Sequence, residues 1–196
     1  MATGGTPAPQ RQMRADARRN YERLLDEARA AFAEQGVGTS LEEIARRAEV
    51  AIGTLYRHFP TRHALLEAIL RDSMTGLSDR ARELLDHPSP AAALTLWSRA
   101  ALIHITVYRD LAPTLMSSFD DETSPLHSGC QALVAAGEQL LDRARQAGVV
   151  RADAQATDLF ALLNAVAWVS DQVPDEQADR LLSFVVDGLR PRQDQA

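Results

Sequence analysis

The residues best suited to recognition chemistry lie together in one short run, Ile52 to His58. The guanidinium of Arg57 is a planar fork that can pair with guanine O6 and N7. Thr54 and Ile52 are suited to base edges or to a thymine methyl group. Gly53 has no side chain, so the backbone there can approach a phosphate closely. These residue types at this spacing therefore predict a surface that meets DNA.

Two short helices joined by a tight turn are expected to position this run. The first is predicted by an apolar stripe at i, i+3, i+4 and i+7, which consists of Leu41, Ile44, Ala45 and Ala48. Ser40 and Glu43 have the spacing of a capping box, which fixes where that helix begins. Val50 and Leu55 are placed to bury the second helix against the first. The other side chains of the run are then left for a partner.

The run Gly53-Thr54-Leu55-Tyr56-Arg57-His58-Phe59 resembles the signature of the amino-terminal domain of TetR-family transcriptional repressors. It is accompanied by the Ile44-Ala45 pair before it and by Arg62, Leu65 and Leu66 after it. The resemblance covers about residues 14 to 70 by motif, and the rest of the chain by length and helical character. It implies an all-α chain with an amino-terminal three-helix helix-turn-helix domain and a carboxy-terminal helical domain for ligand binding and dimerisation.

The resemblance also implies which residues meet the operator. Tyr56 and His58 match positions that clamp phosphates in the family, and the helix Ala51–His58 would lie in the major groove. Thr39, Arg47 and Arg62 would hold the strand on either side. The full set of expected DNA contacts is Thr39, Ser40, Arg47, Ala51, Ile52, Gly53, Thr54, Tyr56, Arg57, His58 and Arg62.

Core packing is the alternative for the aromatic residues of this set. Phe59 is expected in the core, whereas Tyr56 is expected at the surface, and His58 is equally suited to a helix cap and to a phosphate clamp. Two positions depart from the family pattern. Glu49 stands where the family usually has a glycine, so it must avoid a left-handed conformation or bear its cost. Ala51 replaces a common capping serine, at a cost of about 1 kcal/mol.

The chain is expected to divide into four parts. Residues 1–12 form a flexible tail, 13–62 the helix-turn-helix domain, 63–191 the helical effector-binding and dimerisation domain, and 192–196 a second tail. The boundary between the two domains should fall within a fourth helix, between about residues 60 and 72. The helices expected outside the motif are Ala15–Gln35, a fourth helix from Pro60 towards Leu85, Ala91–Ser117, a helix containing Cys130 and stopped by Gly148, Asp153–Val173 and Asp175–Leu189, with Phe119–Ser124 as an acidic connection.

Charge is distributed unevenly along the chain, whose net charge is −6. Residues 1 to 71 hold 11 arginines and 9 acidic residues, whereas residues 72 to 196 hold 10 arginines and 18 acidic residues. The first part can therefore approach phosphates, while the second would be repelled by them.

Several other kinds of protein are disfavoured by the sequence. The single cysteine, Cys130, excludes an intramolecular disulfide and a multi-cysteine zinc site. The five histidines are scattered, and no phosphate loop or catalytic triad spacing is present, so we expect no enzyme, no metal and no cofactor. No signal peptide or membrane span is evident, and a cytoplasmic protein is expected. The remaining alternative is a helical protein-interaction module with weakened DNA binding, because Glu49 and Ala51 depart from the family pattern.

Two further sites are expected in the carboxy-terminal domain. A ligand pocket for an unknown small-molecule effector is placed at Trp97, His104, Tyr108, Asn164 and Trp168, with core packing as the alternative for each. The last two helices are apolar on more than one side, which suggests a homodimer. The expected interface is Leu159, Leu162, Leu163, Val166, Leu181 and Val185. The expected partners are thus a palindromic double-stranded DNA operator, an effector and a second copy of the chain, with no membrane.

Overall fold

Helices account for all the regular structure in the part of the chain that a computed structural model describes: residues 9–36, 38–108, 122–124, 126–170 and 172–191, with side chains from Asp16 onward. They are α1 (Pro9–Gln35), α2 (Leu41–Arg47), α3 (Ile52–His58), α4 (Arg62–Leu84), α5 (Pro90–Tyr108), α6 (His127–Gln146), α7 (Ala156–Ser170) and α8 (Asp175–Gly188). The all-α prediction is confirmed. None of these helices is long and apolar enough to cross a membrane.

The chain divides into two compact units, Met1–Ile69 and Leu70–Ala196, and the division falls within α4. In the first unit α1, α2 and α3 pack on one another. The core of this unit is formed by the apolar stripes of the three helices, which include the buried residues Leu24, Ala28, Phe32, Leu41, Ile44, Leu55 and Phe59.

The ends of α1 follow from local sequence. The helix begins at Pro9, so residues 9–12 are helical and the prediction of a start at Ala15 after a flexible tail was wrong. Proline is well tolerated in the first turn because no intrahelical partner exists there for its missing N–H. At the other end Gly36 has a φ of 79° and donates its N–H to the carbonyl of Phe32. Glycine adopts this left-handed conformation without strain, so α1 ends there.

The second unit is built around α5, which contacts α6, α7 and α8. Trp97 is fully buried, and its indole N–H donates to the carbonyl of Leu77 at 3.0 Å. Gly137 on α6 makes room for this ring, since a Cβ at that position would lie 2.6 Å from Trp97 Cη2. Phe160 meets the same ring edge-on, with centroids 5.5 Å apart. Trp97 therefore joins α4, α5, α6 and α7 at one point of the core.

The boundaries of α5 and α7 differ from the predicted ones. Helix α5 begins at Pro90, and the predicted extension from residue 109 to Ser117 lies outside the described residues, as does the first half of the expected acidic connection. Helix α7 begins at Ala156 instead of Asp153. The carboxylate of Glu138 accepts the N–H of Ala156 at 2.9 Å and so caps the helix there. A cap that is supplied by a side chain of another helix cannot be predicted from the local sequence.

Candidate nucleic-acid interface

One face of α3 is exposed although the opposite face is anchored in the core. Leu55 is fully buried, and Phe59, which follows the helix, is almost fully buried. Ile52 and Tyr56 retain 38% and 44% of their side-chain surface, and Gly53 and Arg57 are also exposed. Exposed large side chains on a short, well-anchored helix suit contact with a partner. The expected surface position of Tyr56 and core position of Phe59 agree with this structure.

Arg57 differs from its neighbours in having no carboxylate partner among the described residues. Its Nε donates a weak hydrogen bond of 3.4 Å to the carbonyl of Gly53, one turn earlier on the same helix. The guanidinium nitrogens at its tip remain available. Such a side chain can present both donors of its fork to a guanine without first breaking an ion pair.

Arg47 is tied to α1 by ion pairs within the first unit, and its role as a phosphate contact stays a prediction. Its guanidinium donates to both carboxylate oxygens of Glu34, at 2.8 and 3.0 Å, and lies 3.4 Å from Glu27. These hydrogen bonds lower the pKa of Glu34 below its usual value. Because both acids are on α1, Arg47 fixes the position of α2 on α1. The sequence did not indicate these ion pairs, because the acids come from a distant part of the chain.

Thr39 and Ser40 also use their hydroxyl groups within the protein. Thr39 is buried and donates to the carbonyl of Gly36 at 2.9 Å, so its side chain does not face a partner. Ser40 is the N-cap of α2, and its Oγ accepts the N–H of Glu43 at 3.1 Å. Only half of the expected capping box forms, since the carboxylate of Glu43 accepts two hydrogen bonds from Arg46.

The ring of His58 is part of an aromatic cluster. It is half-buried and lies edge-on to Tyr21 of α1, with ring centroids 5.8 Å apart, while Tyr21 also stacks at 5.1 Å on Phe59. This packing fixes the orientation of the imidazole at the end of α3. Thr54 and Arg62 are half-buried. Their DNA contacts stay predictions.

The two departures from the family pattern have clear structural effects. Glu49 has a φ of 54°, which makes it the non-glycine residue with a left-handed backbone in the described chain. The turn thus keeps a geometry that favours glycine, at a cost of about 1 to 2 kcal/mol. Ala51 is the N-cap of α3 and provides no side-chain hydrogen bond. Helix α3 forms nonetheless, because Leu55 is anchored in the core.

The residues expected to form a ligand pocket do not lie together. His104 and Tyr108 line a cleft of about 320 Å³ between α4 and α5. Trp97 is enclosed in the core, so the packing alternative describes it. Asn164 is exposed and donates to the carbonyl of Phe160, and Trp168 is 70% exposed. The expectation that Asn164 and Trp168 occupy a buried face was therefore wrong for the single chain.

The residues expected at the dimer interface also separate into two groups. Leu159 and Leu163 are fully buried within their own unit, which corrects their assignment to an interface. The remaining members, Leu162, Val166, Leu181 and Val185, line a groove of about 540 Å³ between α7 and α8. Phe184 lines the same groove and is 67% exposed, although the sequence analysis omitted it. Phe184 lies three residues after Leu181, and this helical spacing could have indicated that the two share a face.

Comparisons with known proteins agree with this architecture. Residues 24–69 match the sequence model described as bacterial regulatory proteins of the tetR family, and residues 89–191 match that of the SbtR-like transcriptional regulator C-terminal domain. A TetR transcriptional regulator from Streptomyces coelicolor is 40% identical, over 87% of this chain and 98% of its own, with a TM-score of 0.71.

Two further relatives are similar over most of the chain. A TetR transcription regulatory protein from Mycobacterium vanbaalenii is 35% identical, over 91% of this chain and 99% of its own, with a TM-score of 0.69. The transcriptional repressor KstR2 of Rhodococcus jostii is 28% identical, over 94% of this chain and 97% of its own. The chain belongs to the TetR family and is a DNA-binding transcriptional repressor.

Proposed function

We propose that this repressor binds a palindromic operator as a homodimer, reads it with the exposed face of α3, and releases it when a small-molecule effector binds the second unit. The observation that carries the proposal is the pairing of arginines in the first unit. Arg46 and Arg47 are paired with carboxylates, whereas Arg57 on α3 is not. A basic side chain without an acidic partner, on the face that the fold leaves exposed, is suited to base recognition.

A homodimer is supported by the apolar surface of the last two helices. Leu162 and Phe184, which line the same groove, expose 44% and 67% of their surface. Large apolar side chains grouped on one surface indicate a contact with another protein. A second copy is the simplest occupant, because a two-fold axis would bring identical surfaces together and present two copies of α3 to half-sites about 34 to 36 Å apart.

The effector is proposed to act by favouring a dimer geometry that does not fit both half-sites. Such coupling between two sites typically amounts to about 1 to 3 kcal/mol. The action proposed here depends only on binding, and the relatives reported above are likewise transcriptional regulators.

The test is a binding titration with an operator selected from random sequences, followed by fluorescence anisotropy at about 0.15 M salt with unrelated competitor DNA. Arg57→Ala should reduce discrimination against one substituted base pair per half-site by about 1 to 3 kcal/mol. Arg46→Ala is the matched control, because Arg46 is also exposed but is paired with Glu43. It should bind like the parent protein.

A second arm separates positioning contacts from specific ones. Arg62→Ala should weaken binding to all sequences alike and reduce the slope of log affinity against log salt by about one. If no sequence is enriched and only weak, competitor-sensitive binding remains, the proposal fails and a protein-interaction module becomes the better explanation. If Arg57→Ala and Arg46→Ala behave alike, the proposed docking of α3 is wrong.

A further inference from the structure

The cleft between α4 and α5 lies entirely within the second unit and is of a size that can take a small molecule. Its volume is about 320 Å³, which is at the lower end of the range for ligand pockets. Most of its wall is apolar, with Leu77 of α4 and Ile103 of α5 on opposite sides. Gly76 leaves further space, because a Cβ built there would meet no atom within 4 Å.

A polar pair is set into this apolar wall. Ser73 Oγ of α4 and His104 Nδ1 of α5 form a hydrogen bond of 2.6 Å. Tyr108 meets the imidazole edge-on at 5.1 Å and fixes its plane. Among the described residues His104 makes no other hydrogen bond, so Nε2 has no protein partner there. When the serine hydroxyl donates to Nδ1, the neutral imidazole carries its proton on Nε2 and offers one donor.

The cleft offers little uncompensated charge to a ligand. Burial lowers the pKa of His104 to about 4, so the imidazole is neutral at physiological pH. Arg80 also lines the cleft, but its guanidinium donates to Glu83 at 2.9 Å. A carboxylate that entered would give up part of its hydration and would have to compete with Glu83 for Arg80, which is unfavourable relative to a neutral oxygen. A neutral oxygen would lose less hydration and could accept the Nε2 hydrogen bond.

We propose that this cleft binds the effector, and that the effector is an uncharged, largely apolar molecule with an oxygen atom that accepts a hydrogen bond from His104. That the bound molecule acts as the effector rests on the proposed function. The ligand chemistry rests only on the residues of the cleft.

The test uses three probes of equal chain length, namely 2-octanone, 1-octanol and octanoate, titrated into the dimeric protein at pH 7 by calorimetry. The ketone and the alcohol should bind saturably, and octanoate should bind about tenfold more weakly. His104→Phe keeps a ring of similar size and removes the donor, so it should weaken the ketone about tenfold.

A blocking variant covers the case in which His104→Phe fails to fold. A Cβ at Gly76 would meet no atom within 4 Å, and leucine has the higher helix propensity, so Gly76→Leu should fold as the parent does while its side chain occupies the cleft. It should abolish binding of the ketone. Thr75→Leu is the matched control, because Thr75 is exposed on the same helix but does not line the cleft. It should bind the ketone as the parent does.

Three results would overturn the proposal: no binding of any probe, octanoate binding as tightly as the ketone, or ketone binding that survives Gly76→Leu. Release of the selected operator by 2-octanone would support the effector role, and saturable binding without release would overturn that role. Calorimetry needs no DNA, so a protein that binds the ketone but no operator would refute the proposed function and leave the ligand chemistry supported.

Discussion

Both units carry ion pairs at their surface, but they differ in the polar groups that lie in their interior: the buried Thr39 of the first unit donates a hydrogen bond to Gly36, whereas the buried Ser98 of the second has no partner among the described residues. In the first unit the ion pairs are at the surface, as with Arg46 and Glu43, or bridge neighbouring helices, as with Arg47 and Glu34. In the second unit polar groups lie in or near the core, as with His104, and the hydroxyl of Ser98 is fully buried. The first unit is thus a frame that presents α3, whereas the second has an interior more polar than packing alone requires.

The largest effect that would sharpen this comparison is the dependence of the second unit's stability on pH. The pKa of His104 is about 4 in the folded protein and near 6.5 when it is exposed to solvent. As pH falls below about 6.5 the unfolded chain takes up a proton that the folded chain does not, so stability is present above that pH and is lost towards pH 4. The free energy of unfolding should fall by up to about 3 kcal/mol in this interval.

Urea unfolding at several pH values measures this change, with His104→Gln as the control that removes the titrating group. The parent and the variant should differ in slope only between about pH 6.5 and pH 4. If the stability of the parent and of the variant changed in parallel with pH, burial of His104 would not affect the free energy of unfolding. The contrast between the two units would then not hold for this residue.

A second effect concerns the exposed apolar surface of α7 and α8. Phe184→Arg places a charge where we propose that two copies meet, and it should weaken the dimer by about 2 kcal/mol or more, the scale of a central interface residue. Sedimentation velocity over a concentration series measures the shift towards monomer. Ser183→Arg adds the same charge at the neighbouring exposed position outside the groove and should leave the dimer unchanged. Equal effects of both variants would locate the interface elsewhere.

A third effect concerns the buried hydroxyl of Ser98, which has no hydrogen-bond partner among the described residues. Leaving such a group unpaired costs about 1 to 3 kcal/mol, and alanine is also the better helix former. Ser98→Ala should therefore raise the free energy of unfolding by about 1 to 2 kcal/mol in denaturant melts. Thr95→Ala serves as the control, because Thr95 donates to its own helix at Ala91. A loss of stability in Ser98→Ala would show that the hydroxyl is paired in solution.

The smallest effect tests whether the left-handed backbone at Glu49 lowers the stability of the first unit. Glu49→Gly removes the strain of a left-handed residue but adds freedom to the unfolded chain, so a net gain of about 0.5 to 1 kcal/mol is expected. Glu49→Ala removes the carboxylate and keeps the strain, and it should gain little. If alanine stabilises as much as glycine, the charge of Glu49, and not its backbone, is what costs stability.

Local sequence predicted the first unit well where a residue's role depends on its near neighbours. The stripe of α2 and the spacing of Val50 and Leu55 were enough to place Ile52, Tyr56 and Arg57 on an exposed face. The ion pair of Arg47 with Glu34 was not predicted, because the folding of α1 against α2 brings these residues together from 13 positions apart. The hydrogen bond from Thr39 to Gly36 is local, but the residue types alone did not show that the Thr39 side chain would be buried. The residue types were informative, but the sequence did not show which residue each side chain contacts.

The second unit was harder to predict for a related reason. Periodicity shows that α7 is apolar on two faces, but it does not show which face the chain covers by itself. The structure buries Leu159 and Leu163 and leaves Leu162 and Trp168 exposed. Similarly, the pairing of His104 with Ser73 joins residues 31 positions apart, and no local pattern marks Ser73 as its partner.

The contrasting positions of the two tryptophans provide two optical reporters in the unmodified protein. Trp97 is enclosed and its indole N–H is bonded to Leu77, a residue of the cleft wall, so its fluorescence should be blue-shifted and poorly quenched by iodide. Trp168 on α7 is mostly exposed, so its emission should be red-shifted and quenchable. One emission spectrum can therefore report separately on the core beside the cleft, through Trp97, and on the exposed surface of α7, through Trp168, without an attached dye.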